Sequence, residues 1–182
     1  MNFIETEIPG LIIIEPKVFN DKRGYFLESY NQKEFESFIG NIDFVQDNES
    51  KSTFGVLRGL HFQVPPFTQA KLVKCILGRI LDVAVDLRSD SPTFGKYLSL
   101  ELSSEKKRQL FIPKGFAHGF IVLSKEAVFS YKVDNYYSPL HDSGIAWNDS
   151  GFGIDWTLSP NEIIVSEKDQ KLKPFSEIVN PF

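Results

Sequence analysis

Hydrophobic and polar positions alternate along this chain in short bursts, too brief for most helices. The clearest burst is Leu81-Asp82-Val83-Ala84-Val85-Asp86-Leu87-Arg88. Extended, it places Leu81, Val83, Val85 and Leu87 on one face and Asp82, Ala84, Asp86 and Arg88 on the other. Strands are predicted at Leu11–Ile14, Tyr25–Ser29, Lys71–Leu77, Ile80–Leu87, Tyr97–Leu102, Ala117–Leu123, Ala127–Val133 and Ile163–Val165. Gly78 interrupts the apolar run before Ile80, as a tight hairpin turn would require. One helix stands out, over Gln32–Ile39. Asn31 can cap it and Glu34 can close a capping box. Phe35, Phe38 and Ile39 share a face, and Gly40 sits where a C-terminal cap belongs. A second short turn is expected from Ser166, with Asp169 on it. Many short strands and little helix predict an all-β, double-sheet jelly roll, which can hold a ligand cavity between its sheets. No linker, repeat or low-complexity tract divides the chain, so one domain over residues 1–182 is expected.

Composition narrows the function classes. Hydrophobic residues make up 42%, as in an ordinary soluble protein, and 17 Phe suit a strand-rich fold. The net charge of -4 gives no global reason to expect a nucleic-acid partner. An anionic ligand would need a local basic pocket. Cys75 is the only cysteine, which excludes an intrachain disulfide and makes a cytoplasmic setting the expectation. Glu5 and Glu7 fall where a secretion signal would be basic, and no apolar run is long enough to span a bilayer, so no membrane association is expected.

Three histidines are available: His61, His118 and His141. His61 lies in Val56-Leu57-Arg58-Gly59-Leu60-His61-Phe62-Gln63. Strict alternation would put Arg58 and His61 on opposite faces, unless a bulge at Gly59 turns both to one side. On this local evidence His61 reads first as a hydrogen-bonded structural histidine. His118 follows the tight entry Ile112-Pro113-Lys114-Gly115 at the start of a strand. His141 sits in a turn-like stretch and is expected to be solvated. A catalytic metal usually takes about three protein ligands. Two histidines with no well-spaced carboxylate do not supply them, so no metal and no cofactor are expected.

Arg23 and Arg58 would suit phosphate oxygens, which a guanidinium grips with two hydrogen bonds. Arg88 reads as a solvated surface charge. Lys71 opens an apolar strand and should point inward with Val73 and Cys75. A buried lysine calls for an anion or a developing oxyanion. Tyr131 shares its face with Phe129 and Val133, either as a core tyrosine or as a phenol placed to deliver a proton. Tyr136 or Tyr137 could stack on a base.

Taken in order, these segments resemble one family closely. They include Asp21-Lys22-Arg23-Gly24-Tyr25-Phe26-Leu27-Glu28, Gln46-Asp47-Asn48, Leu57-Arg58-Gly59-Leu60-His61-Phe62-Gln63, Ala70-Lys71-Leu72 and Asp82-Val83-Ala84-Val85-Asp86-Leu87-Arg88. Pro113 to Phe120, Tyr131-Lys132 and Ser166-Glu167-Lys168-Asp169 complete the set. The chain resembles the dTDP-4-dehydrorhamnose 3,5-epimerases over nearly its whole length. The resemblance implies a cupin-type fold, a homodimer, a dTDP-linked nucleotide-sugar substrate and no metal, since Gln63 stands where metal-binding cupins place the second histidine of a His-x-His pair. It implies His61 as general base oriented by Asp169, with Asp82 as the alternative carboxylate. It implies Tyr131 as proton donor and Lys71 as the enolate-stabilising cation. Arg23, Glu28, Gln46, Asn48, Arg58, His118, Asp142 and Lys168 would bind substrate, some of them from the neighbouring subunit. Asp142 departs from the glutamate common in the family. The competing readings are an epimerase acting on one carbon only, a metal-dependent cupin enzyme and a non-catalytic sugar-binding module.

Overall fold

The computed structural model describes residues 1–182. In chain order it has β1 (Asn2–Glu5), β2 (Ile12–Glu15), β3 (Val18–Asp21), β4 (Gly24–Leu27), α1 (Gln32–Phe38), β5 (Gln46–Thr53), β6 (Val56–Gln63) and β7 (Lys71–Leu77). There follow β8 (Arg79–Asp86), β9 (Tyr97–Ser103), β10 (Gln109–Ile112), β11 (Phe116–Val122), β12 (Glu126–Val133), β13 (Asp142–Gly144) and β14 (Ile164–Val165). One sheet has the order β1-β2-β10-β7-β12-β5, the other β13-β6-β11-β8-β9. β14 joins β6 in parallel, and β3–β4 form a hairpin outside both sheets. Val73, Cys75, Leu110 and Ile112 from the first sheet meet Ile80, Ala84, Phe116 and Phe120 from the second in one core. This is the double-sheet jelly roll that the alternation predicts.

The predicted strands appear with boundaries moved by a residue or two. The strands that alternation passed over are polar, short or, in β6, broken in their alternation at Gly59. β5 reads Gln-Asp-Asn-Glu-Ser-Lys-Ser-Thr and forms the edge of its sheet, where one face stays wet. Gly78 does not make a hairpin. β7 pairs with β10 and β12, and β8 pairs with β9 and β11, so the turn carries the chain from one sheet into the other. Its φ of +76° is one that glycine adopts without strain.

β8 is buried on both faces. Leu81, Val83 and Val85 pack against Trp156 and the C-terminal segment, in a second core that includes Phe175, Ile178 and Phe182. Burial of each such side chain contributes about 1.5–3 kcal/mol. The alternate residues point between the sheets, and there Asp82 and Asp86 are 0% exposed. Arg88 is therefore not a solvated charge: it binds Asp86 through Nε at 2.8 Å and Nη2 at 2.7 Å, and Ser91 and Thr93 complete the shell around that carboxylate. Burial alone would raise the Asp86 pKa; these hydrogen bonds outweigh it and hold the carboxyl below its ordinary value. Asn31 caps α1 as expected, accepting from the Lys33 and Glu34 N–H groups. Glu34 does not close a capping box. It accepts from the Met1 ammonium at 2.7 Å instead.

Candidate active site

The cavity between the sheets measures about 610 Å³ and opens where β6, β7, β11 and β12 meet the turn after β14. Its geometry depends on an irregularity in β6. His61 is the register partner of His118 and Arg58 of Phe120, so Gly59 and Leu60 stand opposite the single residue Gly119. This bulge lets Arg58 and His61 both line the cavity, while Leu60 stays in the outer core. Gly59 has φ +120°, and a Cβ there would lie 2.6 Å from the Gly119 Cα. Only glycine fits.

The same Gly59 helps to hold a carboxylate. Asp169 Oδ1 accepts from His61 Nε2 at 2.8 Å, and its Oδ2 accepts from the Gly59 N–H at 3.2 Å. The Asp169 N–H donates in turn to Ser166 Oγ at 3.1 Å, in the short turn expected there. Burial pushes the Asp169 carboxyl up. The His61 hydrogen bond and charge, the Gly59 N–H and nearby Lys168 outweigh burial and leave it below its ordinary value. An ionised carboxylate only accepts, so His61 carries its proton on Nε2 and keeps Nδ1 as the free basic nitrogen.

A second pair lies beside the first. His118 Nε2 donates to Asp82 Oδ2 at 2.9 Å. Lys71 enters from the opposite sheet, pointing inward with Val73 and Cys75 as its strand position implied. It is 9% exposed, and burial lowers its pKa to about 8 although Asp82 and Asp142 pull it upward. Tyr131 stands on β12, its ring 5.5 Å from that of Phe129. Burial raises its phenol pKa, while Arg58 pulls the other way. The arrangement offers a base, an acid and a cation around one cavity. No three His, Cys, Asp or Glu side chains converge as a metal site would require.

A family model described as dTDP-4-dehydrorhamnose 3,5-epimerase matches residues 5–177. The chain belongs to this epimerase family. It is 56% identical over 170 residues to the dTDP-4-dehydrorhamnose 3,5-epimerase of Shigella flexneri, covering 93% of each chain. Its fold superposes on the crystal structure of the Elizabethkingia anophelis epimerase with a TM-score of 0.94, at 53% identity and 97% coverage of both chains. The Legionella pneumophila epimerase, solved in complex with dTDP-4-keto-L-rhamnose, gives 0.94 at 49% identity, with coverage of 98% and 94%.

Against this epimerase background, the cavity collects His61, Asp169, Tyr131, Lys71, Arg58, His118, Asn48 and Lys168. Gln46 donates to Asn48 at 2.8 Å just beyond it. Asp142 lies one contact away, where Lys168 and the Tyr137 hydroxyl both donate to it. Arg23 and Glu28 line no part of this chain's cavity: Arg23 is paired with Asp21 at 2.6 Å on the β3–β4 hairpin, and Glu28 accepts from Asn31. His141 is not merely solvated, since Nδ1 meets Ser138 Oγ at 2.7 Å and the ring packs on Phe67. Sequence reasoning missed Ser52, whose hydroxyl accepts from Arg58 Nε at 3.1 Å across the edge of the barrel. Its inward parity on β5 was the available signal. Gln63 is a structural latch. It donates to the Phe67 and Tyr136 carbonyls and accepts from the Ser138 N–H, tying two rim loops together.

Proposed function

We propose that this chain inverts C3 and C5 of dTDP-4-keto-6-deoxy-D-glucose to give dTDP-4-keto-L-rhamnose. The observation that carries the reading is one cavity holding the His61–Asp169 pair, the Tyr131 phenol and the Lys71 side chain. A ketone at C4 acidifies the hydrogens on C3 and C5, because the resulting carbanion delocalises onto oxygen. His61 Nδ1 takes the proton, and Asp169 steadies the imidazolium that forms. The Lys71 ammonium stabilises the enolate oxygen where water is scarce. Tyr131, kept protonated by its raised pKa, returns a proton to the opposite face, and the Arg58 charge eases the phenolate left behind. Arg58, Asn48, His118 and Lys168 bind the nucleotide sugar, with Asp142 holding Lys168 in place and Gln46 bracing Asn48. The ketone supplies the acidity, so the scheme calls for no redox cofactor.

The active form in this proposal is a cytoplasmic homodimer of single-domain chains. The β3–β4 hairpin, with Phe19, Tyr25 and Phe26 exposed, would carry Arg23 and Glu28 to the neighbouring cavity.

Incubation with dTDP-4-keto-6-deoxyglucose in deuterated water, followed by NMR, tests the reading. Deuterium is expected at C3 and C5, and none with His61→Ala. Incorporation at one carbon alone would assign a single-carbon epimerase. Wild-type exchange in His61→Ala would remove His61 as the base.

A further inference from the structure

Asp82 is the one buried carboxylate whose charge the protein leaves half answered. It is 0% exposed. Oδ2 accepts from His118, but Oδ1 has no hydrogen-bond partner, the only solvent-inaccessible side-chain oxygen or nitrogen in that condition. Across the barrel, the Lys71 ammonium likewise has no hydrogen bond and no ion pair, although the residue is buried. An anion and a cation, each incompletely partnered, thus face the same interior from opposite sheets.

Apart from the exposed Glu49 on β5, the other ionisable groups around Lys71 are already committed. On β6, His61 is bound to Asp169 and Arg58 to Ser52. On β13, Asp142 is occupied by Lys168 and Tyr137. On β12, burial keeps the Tyr131 phenol protonated, and on β7 itself burial pushes the Cys75 thiol up to about 11. His118, on β11, has its pKa lowered by burial and spends its Nε2 proton on Asp82. Asp82 is left as the buried carboxylate free to answer Lys71, and it is the largest attraction acting on that ammonium.

We propose that Asp82 is a positioning residue for the epimerisation: it is the buried counter-ion that keeps Lys71 charged at the cavity floor, with His118 fixing its carboxylate. This rests on the function proposed above, in which Lys71 meets the enolate oxygen. An ammonium bonded to nothing else can turn from Asp82 towards a developing oxyanion without breaking a hydrogen bond.

The test is a titration of substrate-free protein labelled with ¹³C at the lysine Cε. The Lys71 signal is assigned by its loss in Lys71→Arg. Asp82→Asn keeps an oxygen that can accept from His118 and removes only the charge. The expected result is a Lys71 midpoint near pH 8 in the wild type and at least one pH unit lower in Asp82→Asn. The alkaline limb of kcat should move the same way, with dTDP affinity within about twofold of wild type. Unchanged midpoints in the two proteins would overturn the pairing. So would a wild-type midpoint below pH 7, where Lys71 would be uncharged at neutral pH despite Asp82; that readout needs no variant to fold. Because the titration needs no substrate, its failure is separate from a failure of deuterium incorporation.

Discussion

Two histidine–carboxylate pairs sit side by side in this barrel and differ mainly in their access to solvent. His61–Asp169 and His118–Asp82 have nearly equal bonds, 2.8 and 2.9 Å, and the two histidines are register partners on adjacent strands. The His61 side chain is 32% exposed with its carboxylate at 5%; His118 is 7% exposed and its carboxylate 0%. The same chemical unit is thereby given two jobs. Where the imidazole reaches open cavity, its free nitrogen can receive a proton from a substrate. Where it is almost fully buried, the charged imidazolium is disfavoured, and in the proposed scheme the pair holds a neutral imidazole at the cavity wall beside a fixed charge.

The sharpest way to break this contrast is to neutralise each carboxylate in turn. Asp169→Asn removes the acceptor that fixes the His61 tautomer and stabilises its charged form. Deuterium exchange into substrate is expected to fall by about 10²–10⁴-fold, the range for a positioned acid or base. Asp82→Asn should cost much less at pH 6, two units below the wild-type Lys71 midpoint, where a one-unit drop still leaves most of the ammonium charged. Equal losses in the two variants at that pH would mean that exposure does not separate the pairs.

Much of this was legible in the sequence, and the failures share a cause. Alternation located most strands and the jelly roll, and it placed Lys71 inward with Val73 and Cys75. It could not show that both faces of β8 are dry. Asp82 and Asp86 look like a solvent face because burying carboxylates is costly; only the assembled sheets show that both are inside, with His118 and Arg88 as their partners. Pairing of distant segments is what a local pattern cannot express. The choice between Asp169 and Asp82 as the His61 partner depends on the turn after β14 folding back over β6, more than 100 residues away. Gly78 failed similarly: a glycine signals a turn, but not whether the next strand stays in the same sheet. Gly59 was readable as a bulge, because glycine between Arg58 and His61 allowed the parity to break. Arg23 and Glu28 matched motif segments yet lie outside this chain's cavity; in the proposed homodimer they would serve the neighbouring one.

The sealed side of the comparison should also carry a stability cost. Lys71 titrates at about 8 when folded, well below its ordinary value, because burial disfavours the ammonium more than Asp82 and Asp142 favour it. A cation whose folded pKa is depressed destabilises the fold below the folded pKa, and the penalty fades as pH rises from there to the unfolded value. Lys71→Met should therefore gain up to about 3 kcal/mol in denaturant unfolding at pH 7. The gain should shrink between pH 8 and about 10.5. Catalytic exchange should be lost at the same time. A gain over wild type no larger at pH 7 than at pH 10 would show that Lys71 is not held at a cost.

The smallest effect expected concerns the protonation of His118 alone, and it tests the comparison at its root. Burial lowers the His118 pKa, and Asp82 only partly offsets it while Lys71 and His61 push in the same direction as burial. An unfolded imidazole titrates near 6.5. The folded protein therefore binds this proton more weakly than the unfolded chain. His118 costs nothing well above pH 6.5 and destabilises the fold progressively as pH falls below it. Long-range ¹⁵N–¹H spectra at pH 6.5 should show His118 predominantly neutral and protonated on Nε2, the nitrogen that faces Asp82. A His118 that is mainly imidazolium at that pH would make the inner pair a charged ion pair, and exposure would no longer explain why the two histidines differ.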